Sequence, residues 1–216
     1  MKNIIFIAPP AAGKGTMSEI LMEKYHYKHI STGDILREMA KSDDELALKL
    51  KDMLASGMLV PDEIVYEALK RRLAINDLEN GFILDGFPRN LEQAKEYEKI
   101  LLETKNDLGV VIYLDTPKDV LEKRITGRRI CKDCGATYNV LTGVNAPLKD
   151  GVCDKCGGSL YQREDDNVDS FKTRYETFLN KTYPLVEYYE GKGVLHRIKS
   201  VDIENTIQNI EEIICD

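Results

Sequence analysis

Residues 4–16 read IIFIAPPAAGKGT: an apolar run, a loop of small residues, then Gly13-Lys14-Gly15-Thr16 opening a helical pattern. A strand that enters such a loop ahead of a helix N-terminus aims several backbone N–H groups into one concavity, and Lys14 adds a point charge there. A chain that starts this way has few options. The run needs sheet neighbours, the helix needs a sheet face to cover, and the loop between them is shaped for phosphate. A plain strand-to-helix turn is the bland reading of the same residues. Ala8 and Ala11 stand where loops of this kind carry glycine. If either position requires φ > 0, alanine there is strained by about 1 kcal/mol. That strain would shift the loop without abolishing the anion site. Thr16 falls where a hydroxyl can face a magnesium-bound water.

The rest of the chain supplies the neighbours. Apolar runs at Ile4–Ile7, Phe82–Leu84, Val110–Leu114 and Val194–Ile198 read as buried parallel strands, with a further short strand expected near Lys28–Ile30. Helical patterns lie between and after them at 15–25, 33–40, 44–55, 62–75, 90–103, 117–127, 167–189 and 203–213. This alternation predicts an α/β fold with a doubly wound, three-layer, parallel sheet of five strands. Two stretches interrupt it and read as inserted small domains. Residues 31–60 add helices and end in a Gly57-to-Pro61 turn, and residues 128–164 hold many glycines and few helix formers. The core is then expected in three pieces, 1–30, 61–127 and 165–216.

Composition narrows the function classes. A net charge of −7 argues against a general binder of nucleic acid or anionic membrane, so any bound anion must meet local arginines. The start MKNIIFIAPP is too short for a signal peptide and no run approaches a membrane span, which points to the cytoplasm. In that reducing setting, Cys131 and Cys134 followed after eighteen residues by Cys153 and Cys156 favour metal over disulfides. Two CxxC pairs match a tetrahedral four-thiolate zinc site, structural because no ligand position stays open. Glycines after the second cysteine of each pair permit the tight turn. Cys215 reads as an unpaired thiol.

Three further segments carry chemistry. In Ser31-Thr32-Gly33-Asp34-Ile35-Leu36-Arg37, Ser31 or Thr32 caps a helix starting at Gly33, with Arg37 in solvent. The functional reading gives Thr32 and Arg37 to a nucleoside phosphate. Asp85 ends a buried strand, where a carboxylate holds magnesium through water; the bland reading is an Asp85-Gly86 turn. Pro88 stops a helix there and leaves Arg89 on a loop. Arg124, Arg128, Arg129, Arg163 and Arg174 bunch at the edges of the cysteine insertion. Singly they read as surface charges; together they suit a hinge that closes over phosphate oxygens.

These segments together resemble adenylate kinase, in its long bacterial form with a zinc-bearing lid. STGDILR, GFILDGFPRNLEQA, RITGRR and REDD match the family pattern in order, and the resemblance covers nearly the whole chain. The departure is Ala8 and Ala11, which replace the first two glycines of the phosphate loop. The resemblance implies a P-loop fold and the reversible reaction ATP + AMP = 2 ADP, with Mg2+ accompanying ATP and structural Zn2+ in the lid. It implies that Gly13, Lys14, Gly15, Thr16, Arg124, Arg128, Thr137 and Tyr138 bind ATP, Lys14 touching the phosphates of both nucleotides. AMP would meet Thr32, Arg37, Met58, Leu59, Val60, Gly86, Phe87, Pro88, Arg89, Gln93, Arg163 and Arg174, with Gln93 on the adenine edge. Lys14, Asp85, Arg89, Arg124, Arg128, Arg163 and Arg174 would form the catalytic set, and Asp165 and Asp166 would pair with arginines as the lid closes. Residues 31–60 become the AMP-binding insertion and 128–164 the lid. The implied partners are ATP, AMP and ADP, with no nucleic acid or membrane, and a monomer is expected. Two alternatives stay beside this reading: a UMP or CMP kinase, and a nucleotide-binding protein whose catalysis is weakened by Ala8 and Ala11.

Overall fold

The computed structural model describes residues 1–41, 47–48, 50, 53, 60–143 and 145–215. The expected helix over 44–55 and the Gly57 end of its insertion lie mostly outside them, as do Met58 and Leu59. A parallel sheet is built from β1 (Ile4–Ile7), β2 (Lys28–Ser31), β3 (Phe82–Asp85), β4 (Val110–Asp115) and, last in the chain, β8 (Leu195–Lys199). Their order is β2-β3-β1-β4-β8.

The central strands are apolar on both faces because both faces are covered. Ile5, Ile7, Leu84, Val111 and Tyr113 point to one core, where α3 (Asp62–Leu73), α4 (Leu91–Thr104) and α7 (Pro184–Gly191) contribute Leu69, Tyr97 and Leu185. Ile4, Phe6, Ile83, Ile112 and Leu114 point to the other. There α1 (Lys14–Tyr25), α5 (Lys118–Gly127), α6 (Val168–Thr177) and α8 (Ile203–Cys215) supply Met17, Leu121, Phe171 and Ile210. The period-2 alternation along each strand therefore divides into two cores and three layers. Between β2 and α3, α2 (Thr32–Met39) starts at Thr32 with Ser31 as its cap, one residue earlier than expected.

The expected helix over 167–189 is interrupted. A π-helical turn, Phe178–Thr182, separates α6 from α7, and the Tyr183 N–H reaches back to the Phe178 carbonyl at 2.8 Å. Pro184 has no N–H to continue the α-helical ladder, so the chain restarts with proline at the first turn of α7. Residues 128–161 form a separate antiparallel sheet, ordered β6-β5-β7, from β5 (Arg128–Cys131), β6 (Thr137–Asn139) and β7 (Leu160–Tyr161). Cys131, Ala136, Tyr138 and Cys153 form its small buried cluster, and Ile130 is buried as well. Among the described residues, no helix is long and apolar enough to cross a membrane.

The strand order places the carboxyl end of β1 between β3 and β4, where successive connections leave in opposite directions. Open α/β sheets bind ligands in that crevice.

Candidate active site

The loop after β1 delivers the helix N-terminus that its sequence promised. Gly13 caps α1 at φ +97°, no side chain caps that end, and the first turn carries no acidic residue. The first N–H groups of α1 therefore lack a side-chain acceptor, and the helix dipole favours an anion there.

The two alanines separate. Ala11 lies in the left-handed region at φ +67°, whereas Ala8 is not among the positive-φ residues. Ala11 therefore carries the strain of about 1–2 kcal/mol expected of an alanine there. Ala11→Gly removes that strain at the expense of greater unfolded-chain freedom, about 0.4–1 kcal/mol. The expected outcome is a variant as stable as the parent or up to about 1.5 kcal/mol more stable. Ala8→Gly has only the entropic loss and should be less stable by about 0.4–1 kcal/mol. Urea unfolding distinguishes the two signs; equal destabilisation by both changes would refute the strain at Ala11.

Lys14, the first residue of α1, sends its ammonium to Asp85 at the end of β3. The adjacent pairing of β1 with β3 brings these elements together. His29, on neighbouring β2, places Nε2 3.3 Å from the other Asp85 oxygen. Burial works against ionisation of Asp85. The His29 hydrogen bond and the Lys14 ammonium outweigh it and hold the carboxyl far below the ordinary carboxylate range. An ionised carboxylate only accepts, so His29 Nε2 carries the proton between them. His29 lies just outside the STGDILR motif. The signal for His29 was its position on the strand that pairs with β3.

The arginines converge on the same cleft. Gly13, Lys14, Gly15, Thr16, Asp85, Gly86, Phe87, Pro88, Arg89, Arg124, Arg128, Thr137, Tyr138, Arg163 and Arg174 all line one cavity of about 760 Å³. Arg124 extends from α5 to the carbonyls of Ala12 at 3.2 Å and Val201 at 2.7 Å, under the phosphate loop. Arg128 grips Asp166 through Nε at 2.8 Å and through a terminal nitrogen, and the Asp166 side chain is fully buried. Arg174 meets Asp165 at 3.1 Å. Arg163 is exposed and has no ion pair among the described residues. Arg89 folds its Nε onto the Gly86 carbonyl at 2.7 Å. The space above Gly86, at φ +78°, is shared by the Arg89 guanidinium and the Thr32 hydroxyl; a Cβ there would press on the guanidinium at 3.3 Å and only touch the hydroxyl at 3.5 Å.

Other expected residues stand off this cavity. Arg37 is exposed and paired with Asp34 at 2.5 Å. Val60 packs against the small cluster of Leu36, Leu50 and Ala68. Gln93, in the first turn of α4, is buried, with its oxygen accepting from Arg89 N–H at 2.7 Å and its nitrogen donating to Asp62 at 2.9 Å. The cleft also gains residues that no motif marked. Ser200 follows β8 and donates its hydroxyl to the Ala12 carbonyl at 3.0 Å, and Asp202, Ile203 and Thr182 are further lining residues. Their position just past a strand's carboxyl end was the available signal for Ser200 and Asp202.

The four cysteines come together as their spacing implied. The Sγ atoms of Cys131, Cys134, Cys153 and Cys156 all lie within 4.8 Å of one another. Cys131–Cys156 and Cys134–Cys153 are each 3.5 Å apart, too far for disulfides and close to the edges of a thiolate tetrahedron. Tyr138 donates its hydroxyl toward Cys153 Sγ at 3.4 Å and accepts from Asp154 N–H at 2.9 Å. That hydrogen bond pulls the Cys153 thiol down to about 6 against the effect of burial. Tyr138 thus lines the cleft while its hydroxyl serves the cysteines. The donor set, four soft sulfurs gathered at tetrahedral spacing, fits zinc.

Comparison with known proteins gives a consistent result. A sequence model of the family described as adenylate kinase matches residues 6–194. The chain is 46% identical over 213 residues to an adenylate kinase of Geobacillus sp. strain WCH70, covering 98% of both chains. It is 44% identical over 212 residues to one from Caldicellulosiruptor saccharolyticus, covering 98% of this chain and 97% of that one. A third, from Archaeoglobus fulgidus, is 45% identical over 213 residues with the same coverage.

Proposed function

Since the chain belongs to the adenylate kinase family and interconverts ATP and AMP with ADP, we propose an assignment of its residues to the steps of that reaction. The observation that carries the assignment is the convergence of Lys14, Asp85, Arg89, Arg124, Arg128, Arg163 and Arg174 on one cleft at the end of β1.

The phosphate loop, Gly13 to Thr16, holds the ATP phosphates through backbone N–H groups. Lys14 leaves Asp85 for the phosphates that meet there. Thr32, Arg37, Arg89 and Gln93 hold AMP, together with Val60 and the Gly86-Phe87-Pro88 turn; Met58 and Leu59, outside the described residues, keep the same assignment. Arg124 stacks on the ATP base, bordered by Thr137 and Tyr138. Arg128, Arg163 and Arg174 gather on the transferring phosphoryl, and the pairs Arg128–Asp166 and Arg174–Asp165 are the contacts that lid motion remakes.

The acceptor is an AMP phosphate oxygen that is already ionised, so no general base is needed. Transfer rests on in-line positioning, on arginine and lysine charge over the spreading negative charge, and on exclusion of water by the closed lid. Adenylate kinases use Mg2+ with ATP, and its chemistry here is neutralisation of phosphate oxygens. The ionised, partly buried Asp85 and the Thr16 hydroxyl suit its waters. The four cysteines hold structural zinc that braces the lid. Residues 1–30, 61–127 and 165–216 form the core, 31–60 the AMP-binding part and 128–164 the lid. The protein acts as a cytoplasmic monomer without nucleic-acid or membrane partners.

The test is ADP formation from ATP with AMP, CMP or UMP as acceptor. AMP is expected to exceed both pyrimidines in kcat/KM by about a hundredfold or more, because a site that hydrogen-bonds one base leaves buried groups unpaired with another. Comparable rates with UMP would overturn the acceptor assignment. Binding of ATP without turnover would support a catalytically weakened protein, which the family match does not favour.

A further inference from the structure

We infer that Asp62 sets the acceptor's base specificity by fixing which way the Gln93 amide faces. The inference rests on the assignment of Gln93 to the AMP base and deepens it. Asp62 is the first residue of α3, and Gln93 lies in the first turn of α4. The two helix starts meet across this pair. Gln93 Nε2 donates to Asp62 Oδ1 at 2.9 Å, and Gln93 Oε1 accepts from the Arg89 backbone N–H at 2.7 Å.

A carboxamide can be turned over without changing its shape, exchanging its donor and acceptor ends. Here both neighbours forbid the exchange. A carboxylate only accepts and a backbone N–H only donates. The turned amide would face oxygen with oxygen and N–H with N–H, and Gln93 is buried, with little water to relieve either clash.

Each end of the amide has capacity left: one more N–H on nitrogen and one more lone pair on oxygen. Among the described residues no further side-chain partner of Gln93 takes these up. The donor-acceptor order they present is fixed by Asp62 and Arg89. Adenine presents the complement, an acceptor at N1 beside a donor at N6. Hypoxanthine presents the reverse, a donor at N1 beside an acceptor at O6, and suits only the turned amide. Asp62 therefore makes the amide a reader of adenine, as a positioning residue that need not touch the nucleotide.

The test compares AMP and IMP as acceptors for the full-length enzyme. Asp62→Ala removes the acceptor that pins Nε2. The AMP KM is expected to rise about tenfold, and the preference for AMP over IMP in kcat/KM to fall by a similar factor, with the ATP KM unchanged. Asp62→Asn keeps a carbonyl oxygen in the same place and should restore both values. A preference that stays within twofold of the parent in Asp62→Ala, while Gln93→Ala raises the AMP KM, overturns the role of Asp62 alone. An AMP KM indifferent to Gln93→Ala overturns the base assignment itself. The unsubstituted protein gives a measurement independent of variant folding. Nitrogen-resolved proton NMR should show one Gln93 amide proton shifted downfield and slow to exchange and one ordinary proton; two ordinary, rapidly exchanging protons would count against the pinned amide.

Discussion

Lys14→Met is expected to lower kcat for ADP formation by about a hundred- to a thousandfold, the loss seen when one preorganised charge partner of a transition state is removed. Lys14 is the first residue of the helix that follows the phosphate loop and lines the cleft where the proposed assignment puts the phosphates. Its present partner, Asp85, keeps His29 as a second hydrogen-bond donor after the change. The partly exposed Lys14–Asp85 pair is therefore not the chief source of fold stability, and the melting temperature should move by only a few degrees. Steady-state kinetics read the first effect and thermal unfolding read by circular dichroism the second. A kcat within tenfold of the parent would remove Lys14 from the proposed catalytic set. A large fall in melting temperature would instead make its role structural.

Removing zinc should have the second large effect. Among the described residues, the proposed lid buries Ile130, Cys131, Ala136, Tyr138 and Cys153, with Leu160 packed beside them, and so small a core does not hold a sheet by itself. Structural zinc contributes about 10–16 kcal/mol in small four-ligand domains near neutral pH. Protein purified without chelator should contain about one zinc per chain. Stripping it, or substituting Cys153→Ser, should collapse amide-exchange protection across 128–161 while β1, β3 and β4 stay protected. ADP formation should then fall at least tenfold, because Arg128 and Tyr138 are carried by lid strands that line the cleft. Absence of stoichiometric metal would defeat the zinc assignment. A lid that stays protected without metal would show that its own packing holds it.

The parts of the site legible in sequence are those where local chemistry and position coincide. Gly13-Lys14-Gly15-Thr16 at a helix start, Asp85 at a strand end and the paired cysteines each need residue types that neighbours in the chain already justify. What stayed hidden depends on elements brought together from afar. His29 reaches Asp85 because β2 pairs with β3. Ser200 reaches Ala12 because β8 ends beside the phosphate loop. Asp62 reaches Gln93 because two helix starts face each other. The single helix expected at 167–189 missed the effect of Pro184, which removes an N–H and leaves the turn at Phe178–Thr182 to widen.

The sequence by itself determined the layered sheet, the phosphate loop, the thiolate cluster and the family, because apolar periodicity and ligand spacing are properties of short stretches. Tertiary structure decided the rest. It showed that Ala11 bears the left-handed strain and Ala8 does not, since φ at a loop residue is set by how both ends of the loop are anchored. It also chose the partners of Asp85 and Gln93, since hydrogen bonds between distant elements follow from packing and leave no periodic trace in the chain.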